Sequence, residues 1–143
     1  NRTGGLPTIV LEFTRPVLPA DGVLDGEVAV SVGGCSAVIE GAVMTITPSD
    51  VPDGSCLKIT LTGLIDDDDN PLEGANELCL GVLEGDVIGN ALVNAFDLTR
   101  VRARLGLPVT PDNFRADVNA NGAINAFDLT AVRARMGATL TCP

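Results

Sequence analysis

Oxygen-bearing side chains recur at alternate positions of one short stretch, DVNANGAINAFD (117–128). Carboxylate and amide oxygens spaced in this way on a turning chain can converge on a single point, and such hard donors bind hard divalent cations. The stretch therefore predicts a metal-binding loop. Its candidate side-chain ligands are Asp117, Asn119, Asn121, Asn125 and Asp128.

The spacing of these ligands is that of an EF-hand calcium loop, in which they take positions 1, 3, 5, 9 and 12. Gly122 stands at position 6, where glycine permits a sharp turn, and the backbone carbonyl of Ala123 supplies position 7. Ile124 at position 8 is expected to point inward and hold the loop against its twin. The pattern predicts a bound Ca²⁺ ion.

The twin is a second copy that lies 31 residues upstream. The segments VNAFDLTRVRARLG (93–106) and INAFDLTAVRARMG (124–137) share eleven of fourteen residues. The loop before the first of them, DVIGNALVNAFD (86–97), aligns with the calcium loop. Its candidate ligands are Asp86, Asn90, Asn94, Asp97 and the carbonyl of Leu92.

This first loop departs from the pattern at two positions. Ile88 replaces the oxygen ligand at position 3, and Ala91 replaces the glycine at position 6. The ion loses one donor and the turn loses the residue that most easily adopts a positive φ. We therefore expect the first loop to bind calcium more weakly than the second, or to stay empty.

Each loop must be held by the element that follows it, and apolar residues at i, i+3 and i+7 predict an amphipathic helix there. The predicted stripes are Leu98, Val101 and Leu105 in the first repeat, and Leu129, Val132 and Met136 in the second. Gly106 and Gly137 are expected to end the helices. No entering helix is expected: ELCLGVLEG (77–85) indicates a strand or linker, and PVTPDNFRA (108–116) has room for about one turn.

Paired loop-helix repeats without entering helices resemble the dockerin family, over about 84–138. The repeats span about 86–107 and 117–138, and Asp97 and Asp128 match the family's Asp at loop position 12. The resemblance implies a non-catalytic, calcium-dependent module that binds cohesin modules of cellulosome-like or cell-surface assemblies. It therefore implies a secreted or extracellular protein.

The resemblance also implies a partner surface at loop positions 10 and 11 and at helix positions 17, 18 and 22. In this sequence these positions are Ala95, Phe96, Arg102, Ala103 and Leu107, and then Ala126, Phe127, Arg133, Ala134 and Ala138. Helical geometry places both phenylalanines opposite the apolar stripes, outside the core. The alternative is that each ring packs on its own chain. Because the two sets are nearly identical, we expect two cohesin orientations.

The first half of the chain predicts short alternating strands separated by turn residues, as in a β-sandwich. The runs are TIVLEF (8–13), EVAVSV (27–32), SAVIE (36–40), AVMTIT (42–47) and LKITLTGL (57–64). The order of PTIVLEFTRPV, TITP, LKITLTGLID and DDDDNPL resembles bacterial Ig-like domains over roughly 6–73. The resemblance implies a spacer, and we expect two domains, an all-β domain at 1–80 and an all-α domain at 81–143.

Composition excludes several classes of function. The 143-residue chain has a net charge of −10, and the acidic first half argues against nucleic acid or anionic lipid as partners. The absence of Trp and Tyr argues against a carbohydrate-binding module, and the absence of His argues against an ordinary catalytic triad. Any catalytic domain, such as a polysaccharide-degrading one, is expected elsewhere in the parent protein.

The run Asp66–Asp69 indicates either a calcium ligand set or a solvated turn.

Four cysteines without a CxxC pair indicate two disulfides and an oxidising environment, with reduced core cysteines as the alternative. Pairing within each module gives Cys35–Cys56 and Cys79–Cys142, the second of which would join the two ends of the dockerin-like module.

The chain has no apolar run long enough to span a membrane, and NRTGGLPT at its start lacks the apolar core of a signal peptide. We therefore expect a mature or excised piece of an extracellular protein, monomeric and not inserted in a membrane. The main alternative to cohesin docking is a calcium-stabilised structural tail or spacer of a surface protein.

Overall fold

The computed structural model describes residues 8–142, and these residues form two compact units. The β unit comprises 8–51 and 57–80, and the loop-helix unit comprises 52–56 and 81–142. The chain divides near residue 80, and the short segment 52–56 belongs to the loop-helix unit. The prediction about a missing signal peptide rests largely on residues outside the described range.

The strands form three small sheets, and β1 with β5, β2 with β7, β3 with β6 and β4 with β5 pair in antiparallel fashion. The sheet orders are β1-β5-β4, β2-β7 and β3-β6-β8. The strands are β1 (Ile9–Glu12), β2 (Val17–Pro19), β3 (Val28–Val30), β4 (Gly34–Glu40), β5 (Val43–Ser49), β6 (Ser55–Leu61), β7 (Leu64–Asp66) and β8 (Glu77–Val82).

The core of the β unit follows the alternation in its central strands. In β6, Leu57, Ile59 and Leu61 are buried while the residues between them are partly exposed, and β5 buries Met44 and Ile46 in the same way. A strand places alternate side chains on opposite faces, so this pattern produces one buried face. All five strands predicted from sequence overlap an observed strand. The short strands β2 and β7 are too brief for alternation to reveal them.

The loop-helix unit contains two short helices, α1 (Ala95–Arg102) and α2 (Ala126–Ala134), with a single 3₁₀ turn at Phe114–Ala116 before the second loop. Each helix ends before the last residue of its predicted apolar stripe. Leu105 and Met136 lie beyond the helix ends and are 42% and 46% exposed, so their predicted place in the core is wrong.

After each helix ends, a glycine in the left-handed conformation turns the chain toward the other repeat. Gly106 and Gly137 have φ of +77° and +86° and lie beyond the residues that cap the helices, Ala103 and Arg135. The N–H of Gly106 donates to the carbonyl of Ile124 and that of Gly137 to the carbonyl of Val93, both at 2.9 Å. Each loop is therefore hydrogen-bonded to the segment that follows the helix of the other repeat.

The core of this unit contains the inward-pointing position 8 of both loops. Ile124 is 2% exposed, as predicted, and its counterpart Val93 is fully buried. Both belong to one cluster with residues from the two helices and from the entry to each loop. The buried members are Leu83, Val87, Val93, Val101, Ala116, Val118, Ile124 and Val132.

The disulfide pairing differs from the predicted one. Cys56 is bonded to Cys142, with 5.5 Å between their α-carbons, and Cys35 and Cys79 are free thiols. Both predicted pairs are therefore wrong. The physical reason is that the segment 52–56 joins the loop-helix unit, where the N–H of Gly54 donates to the carbonyl of Val82 at 2.8 Å.

Candidate functional site

The first loop wraps its backbone around two carboxylates. Asp86 at position 1 is 8% exposed, and its oxygens accept hydrogen bonds from the N–H groups of Gly89, Asn90 and Ala91 at 2.8 to 3.1 Å. Three backbone donors directed at one carboxylate fix the turn around it.

Asp97 at position 12 closes the same loop and begins the helix. It is fully buried, and one oxygen accepts from the N–H groups of Val87 and Ile88 while the other accepts from that of Asn94 at 2.8 Å. The side chain of Asn94 in return accepts from the N–H groups of Phe96 and Asp97, and the bond from Asp97 completes a capping box at the start of α1. One carboxylate therefore joins the beginning of the loop to the beginning of the helix.

The second loop repeats this arrangement. Asp117 is 1% exposed and accepts from the N–H groups of Asn121 and Gly122 at 3.1 and 3.0 Å. Asp128 is fully buried and accepts from those of Asn119 and Asn125 at 3.1 and 2.8 Å.

Side-chain amides supply the remaining candidate ligands of the second loop. The Oδ1 of Asn119 accepts from the N–H of Asn121, and the Oδ1 of Asn121 accepts from that of Ala123. Asn125 donates from its amide to the carbonyl of Ala123 at 3.2 Å. The first loop has one such bond at the equivalent place, from the N–H of Leu92 to Asn90. All predicted ligands of each loop therefore lie within one tightly turned segment.

The donor set fits a hard cation such as Ca²⁺. Within residues 8–142, neither Asp97 nor Asp128 forms an ion pair, although both are fully buried. A buried carboxylate without a counter-charge is costly, and a bound divalent cation would supply that charge. Carboxylate, amide and carbonyl oxygens are the ligands that calcium prefers.

Both loops have a left-handed backbone at the same two positions, but the alanine and the glycine are exchanged between these positions. Positions 4 and 6 are both left-handed in each loop: Gly89 and Ala91 have φ of +78° and +62°, and Ala120 and Gly122 have φ of +56° and +85°. Each loop therefore places one alanine in a conformation that favours glycine. The predicted disadvantage of Ala91 is matched by Ala120 in the second loop, and Ile88 remains the main difference.

The surface implied by the dockerin resemblance is exposed. Phe96 and Phe127 are each 72% exposed, so neither ring packs into the described part of its own chain. Nine of the ten residues of the predicted partner surface are exposed, and the tenth, Ala138, is half-buried. Arginines beside exposed aromatic rings are typical of interface hot spots.

An ion-pair cluster that the sequence did not predict lies at the end of α2. Arg135 contacts Glu84 at 2.7 Å and Asp53 at 3.3 Å, and the N–H of Glu84 donates to Asp53 at 2.6 Å. The hydrogen bond to Glu84 is the main reason that the pKa of Arg135 is raised. Asp53 is distant in sequence, so only the fold reveals that it belongs here.

The acidic run in the β unit has a partner of its own. Arg15 contacts Asp66 at 2.6 Å and Asp68 at 2.8 Å. The N–H of Asn70 donates to Asp66, and this bond is the main reason that the pKa of Asp66 is well below its usual range. Carboxylate oxygens of Asp66, Asp67 and Asp68 lie within 4.8 Å of one another, and a cation of the protein, Arg15, already lies at this run.

Comparison with known proteins gives one match. Residues 84–137 match the family model for the dockerin type I domain, and this part of the chain is a dockerin type I domain. Dockerin modules are non-catalytic parts of extracellular proteins, typically bind Ca²⁺ and have cohesins as partners. No curated protein and no solved structure matches the chain. Among the described residues, no helix is long and apolar enough to cross a membrane.

Proposed function

We propose that residues 81–143 act as a calcium-dependent docking module that binds a cohesin and thereby anchors its parent secreted protein to a cellulosome-like or cell-surface assembly. The observation that supports this most directly is the pair of phenylalanines at equivalent positions of the two repeats, each 72% exposed. An aromatic side chain left this open is costly in water unless a partner covers it.

The ligands proposed for calcium are the oxygen donors of the two loops. In the second loop they are Asp117, Asn119, Asn121, the carbonyl of Ala123, Asn125 and Asp128. In the first loop they are Asp86, Asn90, the carbonyl of Leu92, Asn94 and Asp97. Calcium would supply positive charge to the buried carboxylates. Because the same carboxylates cap the two helices, ion binding is coupled to the position of both helices and of the residues that they present.

The proposed cohesin contacts are the exposed residues of the two repeats. Phe96 and Phe127 would be the central anchors, since a desolvated aromatic side chain in a partner pocket carries a large share of binding energy. Arg102 and Arg133 would contribute charged hydrogen bonds at the rim. The small residues Ala95 and Ala126 precede the rings and leave room for close approach of a partner.

The β unit is proposed to be an Ig-like sandwich that acts as a spacer. Its antiparallel sheets and buried alternating faces support this role. A catalytic domain of the parent protein, such as a polysaccharide-degrading one, is proposed to lie outside this chain. The disulfide supports an extracellular location, and the chain is proposed to act as a monomer, without nucleic-acid partners or membrane insertion.

Binding to a panel of purified type I cohesin modules tests the proposed function. We expect at least one cohesin to bind in calcium, and we expect EGTA to abolish that binding. The double variant F96A/F127A should lose most of the affinity. V38A, which shortens an exposed side chain of the β unit, should retain it. Binding that is unaffected by EGTA or by the double variant would overturn the proposal.

One observation favours the alternative of a calcium-stabilised structural tail. Arg135 and Cys142 connect the second repeat to the segment 52–56, and these contacts stabilise the unit without requiring a partner. This alternative predicts that EGTA lowers the unfolding temperature of the chain while no cohesin of the panel binds.

A further inference from the structure

The two candidate docking faces share their sequence motif but differ in their surroundings. We define the first face as Phe96, Arg100, Ala103 and Arg104, and the second face as Phe127, Ala131, Ala134 and Arg135. These residues correspond one to one at an offset of 31. The two faces present the same ring, and they differ in the charge placed around it.

The residue four positions after each phenylalanine is the first difference. Side chains at i and i+4 are neighbours on a helix, so Arg100 lies beside Phe96 on α1. Arg100 is exposed, and it forms no ion pair within residues 8–142. Its counterpart Ala131 is half-buried and packs against the core of the unit. Only the first face therefore has an arginine four residues after its ring.

The arginine after each helix is the second difference. Arg135 is engaged by Glu84 and Asp53. Its counterpart Arg104 donates to the carbonyl of Arg100 and forms no ion pair with the described residues. The position equivalent to Glu84 in the second repeat is Arg115, so the first face has no acidic counterpart there.

The result is a local charge opposite to that of the whole chain. Residues 98–116 contain four arginines and one acid, Asp112, whereas the chain carries −10. This positively charged segment would repel basic groups on a partner surface and attract carboxylates. Leu107, which is 50% exposed, adds apolar surface that the half-buried Ala138 does not provide in the second repeat.

We propose that the first face is the preferred docking face, and that the cohesin surface it fits carries carboxylates around the apolar site that receives Phe96. This inference rests on the proposed cohesin-binding function and adds its orientation and the chemistry of its partner. The second face, whose nearby arginine is already paired, supports only a weaker mode of binding. The expected two orientations are therefore unequal.

Isothermal titration with the cohesin that binds from the panel tests the inference, in calcium and with the full chain. F96A should weaken binding at least about tenfold, and F127A less than about threefold. R100A should weaken binding several-fold and reduce its dependence on NaCl concentration, because a charge-charge contact is lost.

A reciprocal variant transfers the proposed determinant to the other face. A131R places an arginine beside Phe127, and in the F96A background it should restore part of the lost affinity. Circular dichroism in calcium verifies that each variant remains folded, which matters for A131R because Ala131 packs on the core. V38A is the control for substitution at an exposed site.

The outcomes separate this inference from the proposed function. Equal losses for F96A and F127A, a larger loss for F127A, or an unchanged salt dependence in R100A would overturn the preference for the first face. Unchanged binding in the double variant F96A/F127A, or the absence of any binding cohesin, would instead overturn the proposed docking function.

Discussion

At position 3 of the two loops, the backbones are alike and the side chains differ. The N–H of Ile88 donates to Asp97 and that of Asn119 donates to Asp128, each at 3.1 Å. The loop geometry at this position is therefore the same, and only the oxygen donor is missing from the first loop. Ile88 is 38% exposed, so a polar residue there does not disturb the core.

We predict that I88N raises the calcium affinity of the first loop by about tenfold, because it restores one oxygen ligand to an already formed turn. The reciprocal variant N119I should weaken the second loop by a similar factor. In the same series, D117A should remove more of the calcium-induced stabilisation than D86A. Calorimetric calcium titration measures all four variants. Equal losses in D117A and D86A, or no gain in I88N, would show that position 3 does not rank the loops.

At the scale of elements, the sequence predicted those features that depend on residues close together in the chain. Alternation in the stretch 57–64 predicted β6, and the spacing of oxygen side chains predicted the two loops but not the capping role of Asn94 and Asn125. The helix ends predicted at Gly106 and Gly137 were wrong, because Leu105 and Met136 continue the apolar spacing although the helices end at Arg102 and Ala134. The pairing of Cys56 was not predictable either, since it depends on a segment far away in sequence joining the loop-helix unit.

The disulfide gives the second prediction. It connects residues separated by 86 positions, and a loop of that length corresponds to about 4–5 kcal/mol of stabilisation in the loop-entropy model, less any native strain. The variant C56S/C142S should therefore lower the unfolding temperature of the loop-helix unit. The decrease should be larger in EGTA, where calcium no longer stabilises the folded loops by mass action.

The free thiols provide the matched control for that variant. C35S/C79S removes two cysteines from the β unit without removing a disulfide, so it should leave the transition of the loop-helix unit in place. Calorimetry with and without EGTA measures both variants. A transition that is as stable in C56S/C142S as in the parent chain would mean that the bridge adds nothing to the hydrogen bonds and ion pairs around 52–56.

At the scale of the whole molecule, the docking unit is larger than its repeats. The family match covers residues 84–137, yet the compact unit also includes 52–56. Three kinds of contact tie this segment to the unit: the disulfide to Cys142, the ion pair of Asp53 with Arg135, and the hydrogen bond from Gly54 to Val82. A domain boundary at 80/81, which the sequence predicts, would separate the two partners of all three contacts.

A fragment of residues 81–143 therefore provides the third prediction. It retains both loops, both helices and every proposed calcium ligand, so it should still bind calcium and a cohesin. It loses the partners of Arg135 and Cys142 in 52–56, so its unfolding temperature in saturating calcium should be lower than that of the same unit in the full chain. Most of the decrease should come from the disulfide, because an exposed ion pair contributes less than about 1 kcal/mol.

The full-length variant D53N/C56S isolates the cause of this decrease. It removes the ion pair and the disulfide of 52–56 but keeps the chain intact, so its loop-helix unit should melt close to the temperature of the fragment. Far-ultraviolet circular dichroism follows the helices in both proteins. If the fragment were as stable as the unit in the full chain, the segment 52–56 would be a neighbour of the docking module and not a part of it. If the fragment were unstable while D53N/C56S was not, the stabilisation would come from the backbone bond of Gly54 and the continuity of the chain.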